Sequence, residues 1–407
     1  MENTYIGILV FVLSLVASAA AFPRVLRFAR DHNIVDNPNA RKLQRVPVPV
    51  MGGVAVYVGI MAGCIVLDIL MFDTVLTWGL AAMTFMMLIG VWDDVKDISA
   101  RLRLLIEIFL VLAFIFITDT YIDDFHGLWG INALPPEFGI PFSVLAGVGI
   151  INAVNLIDGV DGYSSGYGIL ACICFGLMSR NVWDPVIQCL TLIVIAALLP
   201  FFMHNVFGRR SKMFIGDGGT LMLGALMTVL LFYTMSSKEN CYKLDSKGIC
   251  LGAFSLAVLC IPVFDTLRVM SLRMMRGKSP FSPDKTHLHH LFIDMGFGHL
   301  GAALFILMIN TMVVLVWLAS WKLGASIEAQ LYIVIALGFA VTFGFYKLMK
   351  IQQNGGPCDE EGYPQGTRLW HLMQLVGKFS HREKGPVWHF LTHIVDSRLL
   401  GGGCPKT

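Results

Sequence analysis

Four polar clusters interrupt an apolar chain: Asp93-Asp94-x-x-Asp97, Asn152-x-x-Asn155-x-x-Asp158-x-x-Asp161, Gly216-Asp217-Gly218-Gly219 and His287-x-His289-His290. Carboxylates and amide oxygens are hard donors of the kind that hold magnesium or manganese. Glycines on both sides of Asp217 let the backbone come close to a ligand, and a helix opening there would aim its N-terminus at phosphate oxygens. The histidines share a stretch with Arg273, Arg276, Lys278 and Lys285, and clustered cations suit recognition of a diphosphate. Zinc is the rival for the imidazoles. No cysteine lies near them in sequence, and the other clusters offer oxygen, which favours a hard cation. The combined chemistry is the holding of a divalent cation and a phosphorylated substrate.

Each cluster also has a plainer reading. An Asp at bilayer centre costs about 2.5–3.5 kcal/mol on insertion scales, so acids at 93–97 could simply end a membrane segment. That does not explain a third acid one turn later, with Asp94 and Asp97 on one helix face. Spacing of three from Asn152 to Asp161 makes one polar stripe on a helix. Interhelical hydrogen bonding would explain a stripe of amides but needs no aspartate.

What positions these residues is a membrane. The chain has 407 residues, 56% hydrophobic and 14% charged, with mean hydropathy +0.69. A soluble domain carries roughly 25% charged residues, so the composition excludes one and implies an all-α polytopic membrane protein. Eleven apolar segments are expected to span, near 4–22, 50–72, 74–91, 102–118, 141–156, 163–179, 185–203, 218–235, 249–267, 300–321 and 329–346. The clusters follow segments three, five, seven and nine, so parity places all four on one face. Loops after odd segments, with the tail, hold 25 of the 30 Lys and Arg. The positive-inside rule then puts the N-terminus outside, the C-terminus in the cytoplasm and the clusters in cytoplasmic loops. The first segment lacks a basic stretch before it and is read as a retained span.

The first cytoplasmic loop is basic and proline-stiffened, running from Asp36 through Arg41, Lys42, Gln44 and Arg45 to Gly52-Gly53. Residues 1–347 form the membrane domain and 348–407 a cytoplasmic tail. In the tail, apolar residues recur at helical spacing over 369–379 and 387–395, as expected of amphipathic helices on the inner leaflet. Cys241 and Cys250 flank one external loop, where an oxidising periplasm would permit a disulfide.

With all five elements in order, the chain resembles the bacterial polyprenyl-phosphate N-acetylhexosamine-1-phosphate transferases, glycosyltransferase family 4. Within it the nearest resemblance is to the undecaprenyl-phosphate N-acetylglucosaminyl-1-phosphate transferases. The resemblance covers roughly residues 1–347. It implies transfer of a sugar-1-phosphate from a UDP-N-acetylhexosamine to a polyprenyl phosphate at the bacterial inner membrane, with release of UMP and use of Mg2+ or Mn2+. Asp217 and Asn155 match metal-holding positions. Asp93 and Asp94 match an acid pair assigned to lipid-phosphate activation or placement, so the catalytic set is Asp93, Asp94 and Asp217. Asp161 matches a nucleotide contact. With it, Asp97, Asn152, Asp158, Arg41, Lys42, His287, His289 and His290 make the substrate-binding set. Where the family's first loop reads Arg-Lys-x-His, this chain has Gln44, which cannot take a proton, so Gln44 is left out of the catalytic set. The muramoyl-pentapeptide branch of peptidoglycan synthesis is the runner-up, and a transporter is the rival class. No nucleic-acid partner is expected, and a homodimer is left open.

Overall fold

The structure, a computed structural model, describes residues 2–37, 46–182, 184–280, 286–354 and 386–397. Arg41, Lys42, Gln44 and the tail segment 369–379 lie outside the described residues. Every one of the eleven expected apolar segments is helical. In order they are α1 (Glu2–Asp31), α2 (Gly52–Leu70), α3 (Thr74–Lys96), α4 (Ala100–Thr118), α5 (Pro136–Leu156), α6 (Tyr163–Arg180), α7 (Pro185–Phe207) and α8 (Gly216–Thr234). Short α9 (Glu239–Asp245) precedes a helix pair, α10 (Leu251–Val258) and α11 (Cys260–Met275). Then come α12 (Leu288–Asp294), α13 (His299–Lys322), α14 (Ile327–Asn354) and α15 (Pro386–Ser397).

Among these, eight helices are long and apolar enough to cross a membrane, and α10 with α11 makes a ninth if the bent pair is one span. The two expected spans that fall short carry polar residues for identifiable reasons. Helix α4 contains Arg101, Arg103 and Glu107, and α6 opens on Tyr-Ser-Ser-Gly-Tyr-Gly and closes on Arg180. The chain is a multi-pass helical membrane protein.

Local sequence sets the helix boundaries. The carboxylates of Asp73 and Asp184 accept the N–H groups of Leu76 (2.8 Å) and Ile187 (3.2 Å), capping α3 and α7. Pro136 and Pro185 stand in the first turns of α5 and α7, where a missing N–H costs nothing.

Helix α8 is the hub. It packs against α2, α3, α5, α6 and α10, and 89% of its apolar window is buried, against 22% for α14. Its N-terminus therefore lies inside the bundle rather than in a free loop. A short antiparallel ladder of two residues a strand, β1 (Val35–Asp36) with β2 (Val48–Pro49), ties the first loop to that N-terminus. Phe214 N–H donates to Pro49 O at 2.9 Å, and Gly53 N–H donates to Ile215 O at 2.7 Å.

The ninth expected span, 249–267, is not straight: α10 and α11 meet at 74°. Pro262 has no N–H to offer the carbonyl four residues back, Val258 O. Asn310 of α13 fills the gap. Its Nδ2 donates to Val258 O (3.1 Å), and its Oδ1 accepts Ile261 N–H (3.1 Å). A broken helix survives at membrane depth only when a neighbour satisfies its backbone in this way.

Cys241 and Cys250 are both free thiols. The Cys241 thiol donates to Tyr233 O (3.2 Å), and the Cys250 sulfur accepts Ala253 N–H (3.4 Å). Flanking one loop in sequence did not bring their sulfurs together.

Candidate active site

Asp217 opens α8, and three neighbours define its position. Asn155 Nδ2 donates to Asp217 Oδ1 and to Thr220 Oγ1, both at 2.8 Å. The Asp94 carboxylate accepts the N–H groups of Asp217 (2.9 Å) and Gly218 (3.3 Å), so a negative charge from α3 sits on the positive end of α8. Gly216 supports this with φ +75°, and a Cβ there would fall 2.5 Å from Asp94 Oδ2.

The approach of α3 to α8 depends on Gly90. A Cβ at residue 90 would lie 2.4 Å from the Asp217 carbonyl and from Gly218 Cα. Both obstacles are backbone and cannot turn aside. Gly90→Ala must therefore move α3 outward and carry Asp93 and Asp94 with it. A shift of about 1 Å at reacting groups costs roughly 10²-fold in rate. The expected result is a loss of that order in kcat/KM with the protein still extracted from membranes in normal yield. Wild-type kinetics in this variant would show that the two helices need not touch.

Asp93 accepts Ile98 N–H (2.6 Å) and the Arg103 guanidinium (3.0 Å). Arg103 also lies 3.6 Å from Glu107, which is fully buried and accepts an N–H from the Asn152 amide. Asn152 is thus held by a buried acid. Asp97 does not continue the α3 face with Asp94. It is the helix C-cap at φ +47°, a conformation that Asp tolerates better than most residues, and it is exposed at the rim. The polar stripe likewise breaks: α5 ends at Leu156, and Asp158 and Asp161 stand in the turns after it. Asn205 fixes those turns, accepting Gly162 N–H (2.7 Å) and donating to Met213 O (3.0 Å). Asp161 pairs with Lys212 (2.6 Å) and His299 (3.3 Å).

The histidines arrive from the far side of the same space. His287 Nδ1 lies 2.9 Å from Asp265 Oδ2. Asp265 also accepts Leu288 N–H (3.2 Å) and the buried Arg268 guanidinium (2.7 Å). That partner assigns the Nδ1 proton and turns Nε2 away from Asp265. His289 stacks on His287, ring centroids 5.8 Å apart, and its imidazole touches Gly159, where a Cβ would fall 2.1 Å from Nε2. Burial, reinforced by His290 and His287, drives the His289 pKa well below the ordinary histidine value, so the ring is neutral.

The clustered acids, amides and histidines line one cavity of about 2030 Å³. Its polar end carries Asp93, Asp94, Asp97, Asn152, Asn155, Asp158, Asp161, Asp217, His287, His289 and His290, together with Arg103 and Arg273. Its other end is apolar and continues between α4, α5 and the bent pair, past Ile108, Leu112, Val144, Leu259 and Val263. Every described residue of the predicted set faces this one space.

Among the described residues, carboxylates outnumber cations at the polar end. Asp158 opens onto the cavity. Burial of its surroundings pushes the carboxyl above the ordinary carboxylate value, against the Ser164 hydroxyl and with help from Asp217 and Asp161. Asp161 Oδ1 and His287 Nε2 are buried without a hydrogen-bond partner among the described residues. Among the described residues, no three acid, imidazole or thiol side chains close into a metal cage. Magnesium is commonly held by one or two carboxylates plus waters and substrate phosphates, so an open, oxygen-donating set fits it. Asp217 and Asn155 could hold it, and among the described residues no cysteine lines the cavity.

Sequence reading missed Arg103, Glu107, Asp265 and Lys212. Glu107 and Asp265 had a usable signal, because an acid inside an apolar segment marks function by default.

Residues 76–235 match glycosyl transferase family 4. The chain is 31% identical over 281 residues to the undecaprenyl-phosphate alpha-N-acetylglucosaminyl 1-phosphate transferase of Escherichia coli O157:H7, covering 67% of this chain and 72% of that protein. It is 29% identical over 308 residues to a probable undecaprenyl-phosphate N-acetylglucosaminyl 1-phosphate transferase of Bacillus subtilis, covering 74% and 82%. A Yersinia pestis protein named like the first is 26% identical over 357 residues, covering 86% and 88%.

Proposed function

Because the chain belongs to glycosyl transferase family 4, we propose that it transfers N-acetylglucosamine-1-phosphate from UDP-N-acetylglucosamine to undecaprenyl phosphate, releasing UMP. The observation that carries this reading is the two-ended cavity. An acid-, amide- and imidazole-lined end suits a nucleotide diphosphate, and an apolar end suits a polyprenyl chain. The family residues and the relatives' names support the sugar nucleotide and the lipid, and no relative named above supports the muramoyl-pentapeptide alternative. We assign the remaining topology as eleven spans, N-terminus outside, with this cavity opening toward the cytoplasm of the bacterial inner membrane. The assignment rests on the charge bias of the loops. Residues 1–347 are the transferase domain and 348–407 its tail.

Mechanistically, the attacking group is the lipid phosphate. Its second pKa is about 6, so it is dianionic at neutral pH and needs no strong general base. A divalent cation, held by Asp217 and Asn155, would neutralise diphosphate charge and stabilise the departing UMP. The chain's own residues bring two anions together. Asp93 is already occupied by Arg103 and the Ile98 N–H, which makes it a positioning group rather than a free nucleophile. Asp94 fixes the α8 N-terminus. His287, oriented by Asp265, presents Nε2 to the phosphate region, and Asp161 and Lys212 take the nucleotide side. We infer single displacement at phosphorus without an aspartyl-phosphate.

Purified protein in lipid nanodiscs, given Mg2+, undecaprenyl phosphate and a panel of UDP-sugars, tests this reading. Release of UMP with UDP-N-acetylglucosamine and formation of a lipid-linked diphospho-sugar are expected. Turnover only with UDP-N-acetylmuramoyl-pentapeptide, or ion flux without UMP, would overturn it.

A further inference from the structure

The tail helix α15 is joined to the candidate site by one carboxylate. Asp396 accepts Ser211 Oγ–H (2.8 Å), Ser211 N–H (3.2 Å) and Arg210 N–H (3.3 Å). Ser211 is fully buried beneath this contact. The helix is seated as well as tethered. Trp388 packs on Phe207, the last residue of α7, with ring centroids 4.9 Å apart, and Thr392 and Val395 are buried while His389, Phe390 and His393 face outward. From the other side, the Arg30 guanidinium of α1 donates to Arg210 O. The turn between α7 and α8 is thus clamped at both edges.

The residue after Ser211 is Lys212, whose ammonium is 2.6 Å from Asp161 in the cavity wall. A lysine reaches its partner from a flexible stem, so the geometry of the pair depends on where its backbone is held. Two backbone N–H groups with no helical partner, taken up by one carboxylate, form a strong local constraint.

We propose that Asp396 is a positioning residue for the site: by fixing the Arg209–Lys212 turn, the tail helix holds Lys212 against Asp161 and sets affinity on the nucleotide side of the cavity. This rests on the reading of Asp161 as a nucleotide-side group. The apolar end of the cavity lies on other helices and takes no part in the contact.

The experiment uses the full-length protein in nanodiscs with Asp396→Ala, Ser211→Ala, Lys212→Met and the double variant Asp396→Ala/Lys212→Met. A charge-assisted contact of this kind supports a rise in KM for the UDP-sugar of roughly tenfold in Asp396→Ala, with kcat and KM for the lipid within about twofold of wild type. Ser211→Ala, which leaves the carboxylate and both backbone donors in place, should give a smaller change in the same direction. In the Lys212→Met background, Asp396→Ala should add nothing further, because its effect passes through Lys212. Hydrogen exchange of the peptide spanning residues 205–214 should quicken in Asp396→Ala, and this readout is independent of turnover. Unchanged exchange together with an unchanged KM overturns the proposal, as does a KM effect that adds fully to that of Lys212→Met. Quickened exchange in a protein that turns over no UDP-sugar would leave the clamp standing and remove the nucleotide reading.

Discussion

Asp217→Asn is expected to lower turnover on the order of 10³-fold, the scale seen when a group that stabilises transition-state charge is removed, with the protein still folded. The substitution keeps volume and keeps an oxygen able to accept from Asn155, so the contact at 2.8 Å can persist. The Asp217 backbone N–H, held by Asp94, is untouched. What disappears is one negative charge at the mouth of the most buried helix in the bundle. UMP release measures the loss. Melting temperature and elution profile should stay close to wild type. Chelation of divalent cations should stop the wild-type enzyme, and readdition of Mg2+ should restore it. A variant within tenfold of wild type would remove Asp217 from the metal assignment.

The clusters around Asp217 were legible in sequence because polar residues in an apolar chain stand out. Four features were not legible, each for a physical reason. The bend at Leu259 follows from Pro262, yet whether proline breaks a helix depends on a neighbour such as Asn310 supplying hydrogen bonds. Helical spacing placed Asp94 and Asp97 on one face. The helix stops at Lys96, and periodicity does not announce a left-handed cap. The stripe from Asn152 to Asp161 reads as one helix by spacing, while Gly159 and Gly162 allow the chain to turn out after Leu156. Asp161 comes to face Lys212 only through that turn. Finally, Cys241 and Cys250 are nine residues apart in sequence, and each sulfur is engaged elsewhere.

Glu107 and Asp265 teach a different lesson. Both are single acids inside segments that read as apolar spans, and both prove to be buried partners of a residue at the cavity. Glu107 holds Asn152 and lies beside Arg103, which holds Asp93. Asp265 holds His287. The visible clusters supply the groups that face the ligand, and the isolated acids supply their orientation, as outer partners commonly do at metal and phosphate sites.

The second large effect is expected at Asp265. Replacing it with Asn leaves the shape almost unchanged but removes the negative charge and one of the two oxygens that face His287, Arg268 and Leu288. An Asn side chain offers one oxygen, and three donors now compete for it: the imidazole, Arg268 and the Leu288 N–H. Asn is neutral, so the doubly protonated ring, the form that can donate from Nε2 to a phosphate while Nδ1 is engaged, loses the negative charge beside it. Loss of the carboxylate beside a well-placed histidine can cost as much as about 10⁴ in kcat, and a smaller loss, on the order of 10²–10³, is expected here because His287 orders a phosphate and does not have to take a proton from it. Arg268 complicates the reading, since a buried guanidinium that loses its counter-charge costs about 3–5 kcal/mol of stability. A lowered melting temperature is therefore expected as well. The decisive comparison is kinetic. Asp265→Asn/His287→Ala should be little slower than His287→Ala alone, because Asp265 does not line the cavity and its side-chain partner there is His287. If the two losses add in full, Asp265 supports the bent helix and does not orient the histidine.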